Sequence, residues 1–150
     1  MSRNSPGPGD DGAVLSAALR EIRRRRGMRV ADVAAAMNLS QRAYEQFEAG
    51  RGRLNIDYVR RFARVTDSDP LAILAAVHIG SPAFAVRCAD NKLTTILFMA
   101  LEEFDGSMGD RIAQEDARTL VEAFTRMFRS LDEENARRAA EVRDWLSRKS

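Results

Sequence analysis

The chain has 150 residues, enough for one medium domain or two small ones, with an ordinary apolar share of 45% and a rather high charged share of 31%. No apolar run reaches the roughly 18 to 20 residues that cross a bilayer, and the N-terminus has no signal-peptide core; a cytoplasmic protein is expected. The net charge of +2 hides an asymmetry: residues 20–64 hold 12 arginines against five acidic residues, the electrostatic footprint of a polyanion binder.

The first dozen residues, "MSRNSPGPGDDG", lack apolar periodicity and read as a disordered leader. From Ala13 to Arg26, Val14, Ala18, Leu19 and Ile22 keep helical spacing, and Gly27 stands where a C-terminal cap belongs. A second helix is expected from Val30 to Met37. Asn38 then suits a left-handed turn, Leu39 points inward, and Ser40 is placed to cap a third helix over Gln41–Ala49, with Gly50 ending it. A fourth helix is expected over Ile56–Val65, and a fifth over Pro70–His78 behind the capping Asp69. Gly80-Ser81-Pro82 marks the expected domain boundary, giving a leader 1–12, a first domain 13–80 and a second 81–150.

The second half is also helical in pattern. Lys92–Phe104 carries Leu97, Leu101 and Phe104 on helical spacing, and "DGSMGD" is expected to break the chain. Glu115–Arg129 carries Leu120, Phe124 and Phe128. Ser130 and Glu133 have capping-box spacing, so a separate last helix is expected to reach about Arg148 with Trp145 on it. "PAFAVRCA", residues 82–89, fits either a short helix or an extended linker. No strand pattern of useful length occurs, and the fold class is all-α.

The third helix has the residues to read DNA. Tyr44 and Phe47 lie three apart and face the core with Leu39, so Gln41, Arg42, Glu45 and Gln46 face outward. Glutamine pairs with adenine and arginine with guanine in the major groove, which makes Gln41, Arg42 and Gln46 the candidate base readers. Ser40 with its helix N-terminus, Arg29, Arg51 and Arg53 are candidate phosphate contacts, and Tyr44 is a core residue whose hydroxyl is a further candidate. The run Arg23–Arg26 is read as a solvated helix face plus one internal pair. Asp32 and Glu45 are an alternative acidic patch for RNA polymerase.

On these residues, "MRVADVAAAMNLSQRAYEQFEAGRG" above all, the segment from Val14 to Ala76 resembles the lambda-repressor-like helix-turn-helix family, of the XRE/Cro type. The matching positions are Arg23, Gly27, Ala34, Asn38-Leu39-Ser40 and Glu48-Ala49-Gly50. The resemblance implies a five-helix DNA-binding domain and a structural ion pair between Arg23 and Glu48. The family often opens its second helix with a backbone-contacting glutamine; Val30 stands there in this chain, with Arg29 as a possible substitute.

The second half holds five of seven phenylalanines and the only tryptophan, more apolar surface than so short a segment covers alone. Leu97, Leu101, Phe104, Leu120, Phe124, Phe128 and Trp145 are the candidate dimerisation residues. The expected function is a bacterial, nucleoid-associated transcriptional regulator binding double-stranded DNA as a homodimer, a repressor before an activator. A protein-interaction module, antitoxin-like or adaptor, is the alternative, with a partner held by residues 81–150. No enzyme, metal or cofactor is expected: the single His78 has no catalytic partner at a recognisable spacing, Glu102, Glu103 and Asp105 diverge around a helix, and Cys88 reads as a small buried apolar residue.

Overall fold

The computed structural model describes residues 8–150, and every regular element among them is helical. These are α1 (Pro8–Arg25), α2 (Val30–Ala36), α3 (Gln41–Glu48), α4 (Ile56–Thr66), α5 (Pro70–Ile79), α6 (Pro82–Arg87), α7 (Leu93–Met108), a 3₁₀ helix (Gly109–Gln114) and α8 (Ala117–Lys149). The described chain divides into two compact units, the first ending at Glu103 and the second running from Phe104 to Ser150.

The core of the first unit is built from the apolar stripes of α1 to α6. Leu19, Ile22, Val33, Tyr44, Phe62 and Ile73 are fully or almost fully buried. Helices α3, α4 and α5 begin where the sequence supplies a side-chain acceptor. Ser40 Oγ accepts from the Ala43 amide, Asn55 Oδ1 from the Tyr58 amide, and Asp69 Oδ1 from the Ala72 amide. Between α2 and α3, Asn38 takes the left-handed φ of 58°, as expected for a one-residue reversal.

Four boundaries differ from the sequence reading. Of the expected leader 1–12, residues 1–7 lie outside the described residues, and α1 already starts at Pro8: proline suits the first turn, and Asp10 and Asp11 favour its positive end. The expected domain boundary at Gly80-Ser81-Pro82 is a turn inside the first unit. Residues 82–89 form the short helix α6 and the turn after it, and Ala85 joins the core with Phe84 and Val86 packed on it. Helix α7 runs on through Gly106 to Met108, and the remainder of "DGSMGD" enters the 3₁₀ helix. The two last helices expected are one helix of 33 residues, α8, capped by Asp116 at the Thr119 amide. Serine and glutamate at capping-box spacing are both tolerated inside a helix, and neither Gly nor Pro interrupts residues 117–149.

Asp69 fixes the start of α7. Its carboxylate is fully buried and accepts four bonds: from the Ala72 amide at 3.2 Å, the Thr94 amide at 2.9 Å, the Thr95 amide at 3.2 Å and the Thr95 hydroxyl at 2.7 Å. One carboxylate therefore caps α5 and α7 together, satisfying donors from both helix ends. Cys88 is buried nearby, and loss of solvation raises its thiol pKa. No described helix is long and apolar enough to cross a membrane.

Candidate nucleic-acid interface

Helix α3 is held from behind by aromatic packing. Phe47 meets Tyr44, Tyr58 and Phe62 edge-on at ring distances of 6.2, 5.6 and 6.3 Å, a favoured arrangement for such rings. Leu39 and Tyr58 are half-buried against this core. With one face fixed, the opposite face of α3 is presented to solvent. Gln41, Arg42, Glu45 and Gln46 are all exposed there, as their spacing required.

A buried polar group locks the same helix to α1. Arg23 Nε donates to Glu48 Oε1 at 2.5 Å and Nη1 donates to the Met28 carbonyl at 3.2 Å. The two charged side chains are only 14% and 7% exposed. Tyr44 completes the group: its hydroxyl donates to Glu48 Oε1 at 3.2 Å, and its own burial, then the adjacent carboxylate, push its pKa upward. This corrects one expectation. Tyr44 is not a phosphate contact, because its ring is fully buried and its hydroxyl is committed to Glu48.

The arginines around α3 differ in what they already hold. Arg29 is exposed and paired with Asp32 at 3.1 Å; hydrogen bonding from Arg29 lowers the Asp32 pKa. Such an exposed pair is weak, so Arg29 can exchange its partner for a phosphate at little cost. Among the described residues, Arg42, Arg51 and Arg53 are exposed with no ion-pair partner. Gln41 Nε2 donates to Glu45 Oε1 at 3.0 Å, a surface contact that orients the glutamine without burying it. Ser40 is exposed and its oxygen accepts the helix cap, which leaves its hydroxyl proton free to donate outward. Val30, by contrast, packs on the core and contributes nothing polar to this surface.

Two features of this surface were not read from the sequence. Gly12 of α1 lies directly against Gly50 at the end of α3: a Cβ on Gly50 would sit 2.0 Å from the Gly12 carbonyl oxygen. Gly50 also has a left-handed φ of +70°, so the loop carrying Arg51 and Arg53 leaves α3 at an angle that other residues resist. Arg26, assigned to a solvated face, instead donates to the Thr66 carbonyl at 2.8 Å, the Asp67 carbonyl at 2.7 Å and the Asp90 carboxylate at 2.7 Å. It closes the C-terminal end of α4 from the first helix.

Two short helices meeting at a one-residue left-handed turn, with the second held polar-face outward by a buried core, is the geometry that presents a helix to the major groove. Residues 14–73 match the family model of a helix-turn-helix domain. This segment is a helix-turn-helix domain, similar to those of the lambda-repressor-like kind. The match covers that segment of the chain and leaves α6, α7 and α8 outside it. No curated protein and no solved structure matches the chain. Within the helix-turn-helix domain, the observed Arg23–Glu48 pair and the Asn38 turn occupy the positions that the resemblance implied.

Proposed function

We propose that the chain is a sequence-specific DNA-binding transcriptional regulator that acts as a homodimer on an inverted repeat in the nucleoid, with repression by promoter occlusion as its mode. The observation that carries this reading is the exposed, polar N-terminal face of α3, flanked by unpaired arginines and backed by a buried core. Gln41, Arg42 and Gln46 read base edges, and Arg29, Ser40, Arg51 and Arg53 hold phosphates on either side. Repression needs only an occupied site. Activation would need a further productive contact with the transcription machinery, which occlusion does not. A regulator of this kind needs no catalytic step, cofactor or metal.

The division of labour gives the test. Arg42→Ala is expected to cost roughly 1–3 kcal/mol on the preferred sequence and to relax base preference at one position, whereas Arg51→Ala weakens all sequences alike and shallows the salt slope by about one. Binding of both variants to a selected operator and to random duplex, titrated over salt, checks it. Uniform losses from both variants on every sequence would remove Arg42 from base reading.

A second reading has its own support. Phe98, Met99 and Leu101 on α7 are exposed, a surface that a different protein could cover. Co-purification of the tagged chain with a stoichiometric foreign partner favours that reading; a stable homodimer that footprints DNA by itself opposes it.

A further inference from the structure

Helix α8 is about 50 Å long at 1.5 Å per residue, yet none of its residues is buried. Its apolar side chains nevertheless share one face. Phe124, Phe128 and Leu131, then Ala139, Val142 and Leu146, fall within roughly a third of the circumference at 100° per residue. Phe124 and Val142 are more than half exposed on this stripe. A stripe of this length on a lone helix needs a partner helix.

The stripe is interrupted once. Asn135 stands in it, close to the middle of α8, with the acidic run Asp132-Glu133-Glu134 on one side and the basic pair Arg137-Arg138 on the other. Building on the reading of the chain as a two-fold dimer, we infer that α8 pairs with α8 of a second copy, antiparallel, with the two-fold axis at Asn135.

This register satisfies three constraints together. It sets Asn135 against Asn135 of the other copy, so the one polar position in the stripe meets an amide that can both donate and accept. It opposes large with smaller side chains: Leu131 with Ala139, Phe128 with Val142, and Phe124 with Leu146. It also brings the acidic run to the same height as the basic pair of the other copy, a complementarity of whole segments, since Glu133 and Arg137 lie on the outer faces and Asp132 and Arg138 on opposite flanks. A parallel, in-register pair does the reverse on the last two counts. Phenylalanine would meet phenylalanine at 124 and 128, alanine would meet alanine at 139, and the acidic run would lie beside the acidic run. Within one chain Glu134 already pairs with Arg137 and Arg138, and these exposed contacts lower the Glu134 pKa, chiefly through its hydrogen bond with Arg137. A foreign helix would need the same pattern reversed, and a second copy supplies it by symmetry.

The test is cysteine crosslinking of the full chain, with sedimentation as the separate measure of association. The native Cys88 is buried and serves as an internal control. Asn135→Cys is expected to form a disulfide-linked dimer under mild oxidation, because its two copies meet at the axis. Val142→Cys alone is expected to form none, its copies lying about 20 Å apart along the helices, far beyond disulfide reach. Mixing Val142→Cys with Phe128→Cys is expected to restore the link. A spin label on Lys149→Cys, at the end of α8, reads the register without altering the stripe: about 40 Å between labels if antiparallel, under about 20 Å if parallel. A monomer by sedimentation overturns the dimer reading and this inference with it. A dimer that links through Val142→Cys alone, or has close labels at 149, overturns the antiparallel register and leaves the dimer reading standing.

Discussion

Glu48 serves two neighbours at once: it neutralises Arg23, accepts from Tyr44 and, through them, ties α3 to α1 behind the reading face. Removing one partner from such a group leaves a buried charge without compensation, so Glu48→Ala is expected to cost about 3–5 kcal/mol of unfolding free energy. Replacing the whole group with apolar residues, Arg23→Met with Tyr44→Phe and Glu48→Leu, is expected to recover most of that loss, because no charge is then left buried. Urea unfolding of the two variants checks both; a triple variant as weak as Glu48→Ala would mean the group is worth more than its desolvation costs. At Gly50, alanine would meet the Gly12 carbonyl and take up a left-handed φ, so Gly50→Ala is expected to lower the melting temperature by several degrees, with a loss of about 1–3 kcal/mol. Residues of this kind differ in how far the sequence reveals them. Asn38 was legible because a left-handed turn between two helical patterns admits few residue types. Arg26 was not, since four successive arginines look alike until the chain brings the Thr66 and Asp67 carbonyls beside one of them. The Gly12–Gly50 approach was hidden for the same reason: local spacing does not record a contact across 38 positions.

Among the elements, the helix-turn-helix segment was readable in detail because α3, α4 and α5 each begin at a capping side chain, and α2 to α5 are each followed by a left-handed residue or a glycine. The second half was readable only as helical. Its apolar stripe keeps one phase on both sides of Asn135, and phase decides whether a helix continues once Gly and Pro are absent; the local Ser130 and Glu133 pattern carried no such information. The least visible element-level device is Asp69. A sequence shows it before Pro70 and hence as the cap of α5, while its second role at α7 depends on Thr94 and Thr95 arriving beside it. Asp69→Ala is therefore expected to loosen two helix ends together. The loss of caps is about 1 kcal/mol at each helix, and amide hydrogen exchange should quicken at Ala72 and at Thr94–Thr95 while α3 keeps its protection. Fast exchange confined to α5 would show that α7 is fixed by packing alone.

On the scale of the whole molecule, a single helix-turn-helix domain with a few arginines grips DNA mainly through phosphates, and such binding falls at roughly 10⁻⁴ to 10⁻⁶ M whatever the sequence. Two domains joined by a two-fold interface read two half-sites, and a B-DNA turn fixes their spacing at about 34 Å. The proposed dimer therefore makes the operator's geometry as important as its letters. Inserting five base pairs between the half-sites rotates one of them by about half a turn, to the far side of the duplex, and is expected to remove most of the specific affinity. Inserting ten restores the phase and is expected to recover part of it, to an extent set by how far the dimer can stretch. Quantitative footprinting on the native, five-pair and ten-pair operators measures this directly. If all three were bound equally, each domain would be acting alone, and the exposed face of α8 would belong to an interaction other than the one that places two α3 helices on one site.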